Sequence, residues 1–479
     1  MAKPADPEGP TGKLCTWIEG VTLQDIPETL CTRAKYLILD GLACALVGAH
    51  LPWSEKAVDA ILELESPGLA SVFGWEKKIS PLSAALLNST FIQGFELDDW
   101  HSDAPLHSNS IILPALFAAT EQISNLKSGH TVSGKDLLLG TIVGYEVGPR
   151  VGLALYGGHI LTMGWHSGAV FGPSAAAASV SKLLKLPANS IEDALGIACT
   201  QACGLMSAQY ESDVKRMQHG FAARNGLLAA LLARKGYIGI KKVYERPYGG
   251  FLAQFGKGNG QTPEYRTDEI AKDLGMIWQT TGIRVKPYAA MAGTHCTIDC
   301  IKALQERNPE QLKDLGGINS IKIELSEAAY HHGGWEAQRP LTSTGAQMSN
   351  AFVAATQLVD GQVLAAQFRH DCLDRDGIWA LVNKTTCEFN QDFPKLQTRV
   401  KIHFTGGKPT LQHTMECPRG VDPPLSNDQV LEKWRLLTRD VIEPARAAEI
   451  EDLILNLEKC SDVMAINTLM AGTTKNPIT

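Results

Sequence analysis

The chain has 479 residues, 44% of them hydrophobic and 20% charged, with a formal net charge of −7. That composition supports a large core and excludes general disorder, and the length predicts two or three domains. The acidic balance and the lack of any Lys/Arg run argue against nucleic-acid binding, and no apolar run approaches the roughly 18 residues of a membrane span.

The 11 cysteines contain no C-x-x-C pair. Cys199/Cys203 and Cys296/Cys300 are each spaced i, i+4 in apolar helical patterns, so buried thiols are expected. An odd count and no recognisable signal peptide fit a reducing compartment, and the expected location is cytoplasmic.

Residues 1–12, polar and rich in Pro and Gly, read as a disordered tail. From about Leu14 to Leu274 the period is helical almost throughout, beginning with a long buried helix over 31–50. Two apolar helical patterns flank the stretch Phe95–Pro114, FELDDWHSDAPLHSNSIILP. It carries Glu96, Asp98, Asp99, His101, Asp103 and His107, an unusual density of ionisable groups for a connection between buried helices. Gly168, Gly172 and Ala176 then recur at four-residue spacing, predicting a helix face that admits a close neighbour.

Near residue 283 the pattern changes. INSIKIELSE (318–327) alternates as a strand, GAQMSNAFVAATQLVDG reads as a helix stopped at Gly361, and TRVKIHFTGGKPTLQHTMEC reads as a hairpin turning at Gly406-Gly407. After Pro423-Pro424 helices return. The expected fold is mainly α, with a smaller α+β domain (283–417) inserted into a large helical domain formed by 13–282 and 418–479.

Three further places carry chemistry-bearing side chains. His166 stands at the start of the small-residue helix, where it could equally satisfy the helix end. Lys215 lies in a basic cluster, Asp213 to Gly220, between two apolar helices. Lys286 falls at the expected domain seam, ahead of Gly293-Thr294-His295. Asp98, Asp99, His101 and His107 are possible metal ligands by type, but no metal-site spacing occurs and no metal is expected. A P-loop, a dinucleotide fingerprint and a GxSxG nucleophile are missing too. What remains is a cofactor-free set of His, Lys and carboxylates, suited to proton transfer on a small polyanion.

The stretches RAKYLILDG, ELDDWHSDAPLHS, EDALGIACTQACGLMSAQY, VKRMQHGFAARNGLL and YGGFL resemble the MmgE/PrpD family, which includes 2-methylcitrate dehydratases and cis-aconitate decarboxylases. Resemblance extends from about residue 14 to 465 and is strongest to the fungal decarboxylases. It implies a helical domain with an α+β lid, a homodimer, a small tricarboxylate substrate and no cofactor. The implied activity is conversion of cis-aconitate to itaconate and CO2. Alternatives are decarboxylation of an alkyl-substituted aconitate, dehydration of a 2-methylcitrate-type acid, and a binding protein that kept the pocket. The implied catalytic positions are His107, His166, Lys215 and Lys286, with Tyr330 as a fifth and Glu96 and Asp99 in the acidic motif. Two departures from the animal decarboxylases, Met291 for a His and Ala289 for a Pro, leave the exact substrate open. The turn 289–291 either offers apolar room for an alkyl chain or packs the start of the helix at His295.

Overall fold

The computed structural model describes residues 3–125, 131–209 and 212–479. Pro10 opens α1 (Pro10–Gly20) at a position where its missing N–H costs nothing. This corrects the expectation of a disordered tail over 1–12, of which residues 1–2 lie outside the described residues. The Ala5 amide donates to the buried Glu192 carboxylate at 2.9 Å, and the Thr11 hydroxyl donates to Glu245. Acceptors distant in sequence thus satisfy a polar segment that composition alone assigns to solvent.

Helices α2 (Glu28–Gly48) and α3 (Pro52–Leu64) follow. An antiparallel hairpin, β1 (Ala70–Val72) and β2 (Lys77–Ile79), then interrupts the region expected to be helical. Its turn uses Gly74 at φ 78°, and the Glu121 carboxylate accepts from the Ser71 amide and hydroxyl at 2.7 and 2.6 Å. Strands of three residues are too short to show alternation in sequence.

Beyond the hairpin come α4 (Pro81–Ile92), β3 (Trp100–His101), α5 (Ser108–Ser124), α6 (Gly134–Ala154) and α7 (His159–Thr162). They are followed by α8 (Ser167–Leu183), α9 (Ala188–Cys199), α10 (Gln218–Arg234) and α11 (Phe251–Gly256). Every residue of α4 from Ser83 to Ile92 is buried, the mark of a helix surrounded on all sides. The small-residue face of α8 admits its neighbours as expected. A Cβ on Gly172 would lie 2.6 Å from Ile111 Cδ1 and 2.9 Å from Ala222 Cβ, and one on Gly226 of α10 would overlap Ala176. Cys199 ends α9 and is buried, but Cys203 lies beyond the helix and is exposed, contrary to expectation. β4 (Ile283–Arg284) pairs antiparallel with β3, His101 opposite Ile283.

Then come α12 (Ala292–Arg307), which buries Cys296 and Cys300, β5 (Ile318–Leu325), α13 (Glu327–Gly333), α14 (Ser343–Met348) and α15 (Asn350–Asp360). Helices α16 (His370–Leu373) and α17 (Asp376–Val382) precede β6 (Thr385–Phe389), β7 (Thr398–Phe404) and β8 (Leu411–Met415). The sheet order is β6-β5-β7-β8. Ile321, Ile323 and Leu325 are buried, and Gly406 and Gly407 turn the β7–β8 hairpin at φ 68° and 73°. The expected single helix ending at Gly361 is broken at Ser349, whose hydroxyl caps α15 by accepting from the Phe352 amide. Strand β6 pairs parallel with β5 and is mostly exposed, so neither alternation nor an apolar run marks it in sequence.

The chain ends with α18 (Asn427–Thr438), α19 (Pro444–Leu455) and α20 (Met464–Ala471). On α18, Lys433 places its ammonium 2.6 Å from Asp40 of α2, both buried. Two compact units result. One comprises Met1–Gly94, Asp98–Arg284 and Ser426–Asn476; the other comprises Phe95–Leu97, Val285–Leu425 and Pro477–Thr479. The first is helical apart from its short hairpin and the two-residue β3–β4 pair, and the second holds the four-stranded sheet. Among the described residues, no single helix is long and apolar enough to cross a membrane.

Candidate active site

The ionisable loop between α4 and α5 is organised by its own acids. Asp99 accepts from the Ser108 and Asn109 amides, 3.0 Å each, and so caps the N-terminus of α5. Burial, then the neighbouring Asp98, pushes the Asp99 carboxyl well above the usual range, while the two amide bonds pull it back. Asn109 carries the network onward, donating to Leu37 O at 2.7 Å and accepting from the buried Tyr145 hydroxyl. Asp99 is therefore a scaffold for the loop.

Asp98 points elsewhere. Its Oδ2 lies 2.9 Å from Nδ1 of His107, a pairing that orients the imidazole. The carboxylate is buried and the ring half-buried. His101, two residues from Asp99, is a different case. Its Nδ1 accepts from the Ala104 and Asp103 amides at 3.1 and 3.3 Å, and burial lowers its pKa to about 4. It is a neutral turn-former.

His107 is the N-cap residue of α5, and His166 is that of α8. Between their rings stands His219, the second residue of α10, with centroids 4.9 Å from His107 and 5.0 Å from His166. Ser110 Oγ lies 2.9 Å from His219 Nδ1 and donates to His107 O at 2.9 Å. A Cβ at Gly168 would overlap the His219 ring, so only glycine fits there. Burial, with a smaller contribution from His107, depresses His166 to about 3, which keeps it neutral at working pH.

Three imidazoles thus sit where three helix N-termini converge. Each terminus presents the positive end of a helix dipole, and although Asp99 takes up the first two amides of α5, the three ends together favour an anion. Lys215, on the 3-10 turn Asp213–Arg216 just ahead of α10, is buried and brings an amine to the same segment. Sequence reading missed His219, although it lies in a stretch singled out for its lysine. Its position four residues after Lys215, at the start of an apolar helix, was the available signal.

Four of the expected residues belong to the second unit. Lys286 and Glu96 form a buried ion pair, Nζ to Oε2 3.1 Å. Glu96 holds φ at 56°, a left-handed conformation that non-glycine residues adopt at a cost and that clusters at functional sites. Gln347 ties the two chain segments together by donating to Phe95 O and to Ala289 O, 2.9 Å each. No sequence signal marked it. Met291 is the N-cap residue of α12; its amide donates to Gln347 O at 3.0 Å. Its methyl lies against Gly293 and Gly333, and Ala289 and Ala290 are fully buried. Ala289 and Ala290 are thus packed at the start of α12, while Met291 is half-buried. Tyr330, on α13, meets His331 edge-to-face and Phe389 at a tilt, 5.7 and 6.2 Å between centroids. Among the described residues, no group of three or more His, Cys, Asp or Glu is arranged to hold a metal ion.

The first unit thus carries imidazoles at converging helix ends, and the second a buried Lys–Glu pair. Residues 12–264 match the MmgE/PrpD N-terminal domain and residues 288–459 the MmgE/PrpD C-terminal domain, and the chain belongs to the MmgE/PrpD family. It is 50% identical over 474 residues to the cis-aconitate decarboxylase-like protein oryM of Aspergillus oryzae, covering 97% of this chain and 98% of that one. It is 48% identical over 480 residues to the cis-aconitate decarboxylase of Aspergillus terreus, covering 98% and 97%. The human cis-aconitate decarboxylase is 25% identical over 473 residues, covering 96% and 94%.

Proposed function

We propose that this chain is a carboxy-lyase that converts cis-aconitate to itaconate and CO2. The observation that carries the reading is its near full-length relationship to proteins named cis-aconitate decarboxylase. The convergence of helix N-termini, imidazoles and Lys215 gives that chemistry its means.

In this mechanism CO2 leaves from the CH2 arm of the trianion. The electron pair of the broken C–C bond forms a terminal C=C bond to the central carbon, and the original double bond shifts its electrons toward the far carboxylate. An enediolate-like trianion results, and protonation at carbon gives the itaconate dianion. The charge of the departing carboxylate passes to the remaining carbon framework before the proton arrives, so fixed positive groups lower the barrier most. Lys215, Lys286 and the helix N-termini supply them. His107, held by Asp98, delivers the proton, and a positioned acid of this kind contributes about 10²–10⁴-fold. His166, neutral, and Tyr330 orient carboxylates. Glu96 sets Lys286, Asp99 holds the helix end that presents His107, and Met291 borders the substrate. A cytosolic homodimer is part of the same proposal.

The test is incubation of the purified protein with cis-aconitate and, separately, with 2-methylcitrate, following products by NMR. Itaconate and CO2 from the first support the reading. An alkene from the second without CO2 favours a dehydratase, and silence on both removes the proposal. Decarboxylation of an alkyl-substituted aconitate is the second reading, and the A. oryzae relative, named decarboxylase-like, leaves room for a substrate other than cis-aconitate. A kcat/KM that rises with alkyl length would favour it.

A further inference from the structure

The 3-10 turn that carries Lys215 is short and irregular, and something must hold it. Among the described residues, Lys56, Trp53 and Gln93 reach it. Lys56 of α3 pairs with Asp213 at 3.1 Å, but both are exposed and water screens the pair. The buried Arg216 guanidinium stacks 4.3 Å above the ring of Trp53, which fixes the side chain next to Lys215 but not the backbone. The third is Gln93, the residue that ends α4 and is 1% exposed. In the orientation its surroundings require, its amide nitrogen donates to both Lys215 O and Arg216 O, 3.1 Å each.

We propose that Gln93 is a positioning residue for Lys215, its carboxamide clamping the two carbonyls that set the direction of the lysine side chain. The clamp has a rigid base. Gln93 donates its backbone N–H to Ser89 O at 3.1 Å, and α4 is buried from Ser83 to Ile92. A Cβ on Gly220 would lie 2.5 Å from Leu86 O and 3.2 Å from Thr90 Oγ1, so the start of α10 is pressed onto the same helix, α4. Lys215 therefore extends from a backbone fixed on both sides. A charge that must oppose a developing carbanion gains from such fixing, because a displacement of about 1 Å costs on the order of 10²-fold in rate.

This inference rests on the reading of the site as a polycarboxylate site, and its test separates the two. The probe is tricarballylate, the saturated analogue of aconitate, titrated by NMR into wild type, Gln93→Met, Lys215→Met and the double variant. Methionine keeps length and loses the donors. Gln93→Met should raise Kd at least tenfold with little change in Tm. In the Lys215→Met background the same substitution should change Kd less than twofold, since no ammonium is left to misplace. An unchanged Kd in the single variant, or an equal factor in both backgrounds, overturns the proposal. If wild type itself does not bind tricarballylate, the polycarboxylate reading fails on its own. Hydrogen exchange of the segment 212–218 then decides the clamp: at least fivefold faster exchange in Gln93→Met supports it, and unchanged exchange overturns it. Should Gln93→Met fail to fold, Gln93→Asn, one methylene shorter, serves for both measurements.

Discussion

Lys286 and Glu96, 190 positions apart in sequence, meet as a buried ion pair with Nζ 3.1 Å from Oε2. Removing one member of a buried pair strands the other charge, at roughly 3–5 kcal/mol. Glu96→Ala should therefore lower the unfolding free energy by about 3 kcal/mol, whereas Glu96→Gln, which keeps a hydrogen-bond acceptor, should cost less. Equilibrium denaturation of the two variants checks the order.

His107 and Lys215 have different tasks and should fail differently. His107→Ala should lower kcat by two or more orders of magnitude, with Kd for tricarballylate nearly unchanged. Lys215→Ala should weaken binding as well as rate. Asp98→Asn, which leaves the imidazole without its carboxylate, should lower kcat while His107 stays in place. Steady-state kinetics beside the NMR titration separates these outcomes. Retention of more than about a tenth of wild-type kcat/KM removes the residue concerned from the mechanism.

Gly168 has no room for a side chain beside the His219 ring. Gly168→Ala should displace that ring from between His107 and His166, costing about 1–3 kcal/mol in overpacking and most of the activity. Gly164→Ala differs, since open space surrounds that position and only its φ of 83° opposes a side chain. It should lose stability but retain turnover.

Protonation gives another test. His101 has a pKa near 4 in the folded chain, lowered by burial, against about 6.5 when unfolded. Below pH 6.5 the unfolded chain takes up a proton that the folded chain refuses, so this contribution to stability is complete above that pH and is lost on acidification toward 4. The buried carboxyls of Asp40, Asp99 and Glu146 are shifted upward and act in the opposite sense. The quantity to follow is thus the difference between wild type and His101→Asn, whose amide oxygen replaces Nδ1 as acceptor. The wild-type advantage should shrink by about 3 kcal/mol between pH 6.5 and 4, as measured by urea unfolding.

The parts legible in sequence were those with a period or a composition of their own. The small-residue face of α8, the alternation of β5 and the Gly406-Gly407 turn all read directly. The acids and imidazoles of the α4–α5 loop stood out because their surroundings are apolar, and the structure pairs two of them, Asp98 and His107. Illegible were features made by distant partners. Ala5 and Thr11 are ordered by Glu192 and Glu245, β6 exists only through its pairing with β5, and Gln347 looks like any glutamine until Phe95 and Ala289 present their carbonyls. His219 stood in a recognised motif, but only the meeting of three helix ends shows that its ring lies between two others. Tyr210, in another such motif, lies outside the described residues.

The central claim is decarboxylation with transposition of the double bond and protonation at carbon by the protein. Turnover of cis-aconitate in D2O, read by proton and carbon NMR, tests it most directly. Itaconate should carry one deuterium on its saturated CH2 carbon and none on the terminal =CH2, with one CO2 released per product. Deuterium on the terminal =CH2 carbon, or consumption of cis-aconitate without CO2, would contradict it.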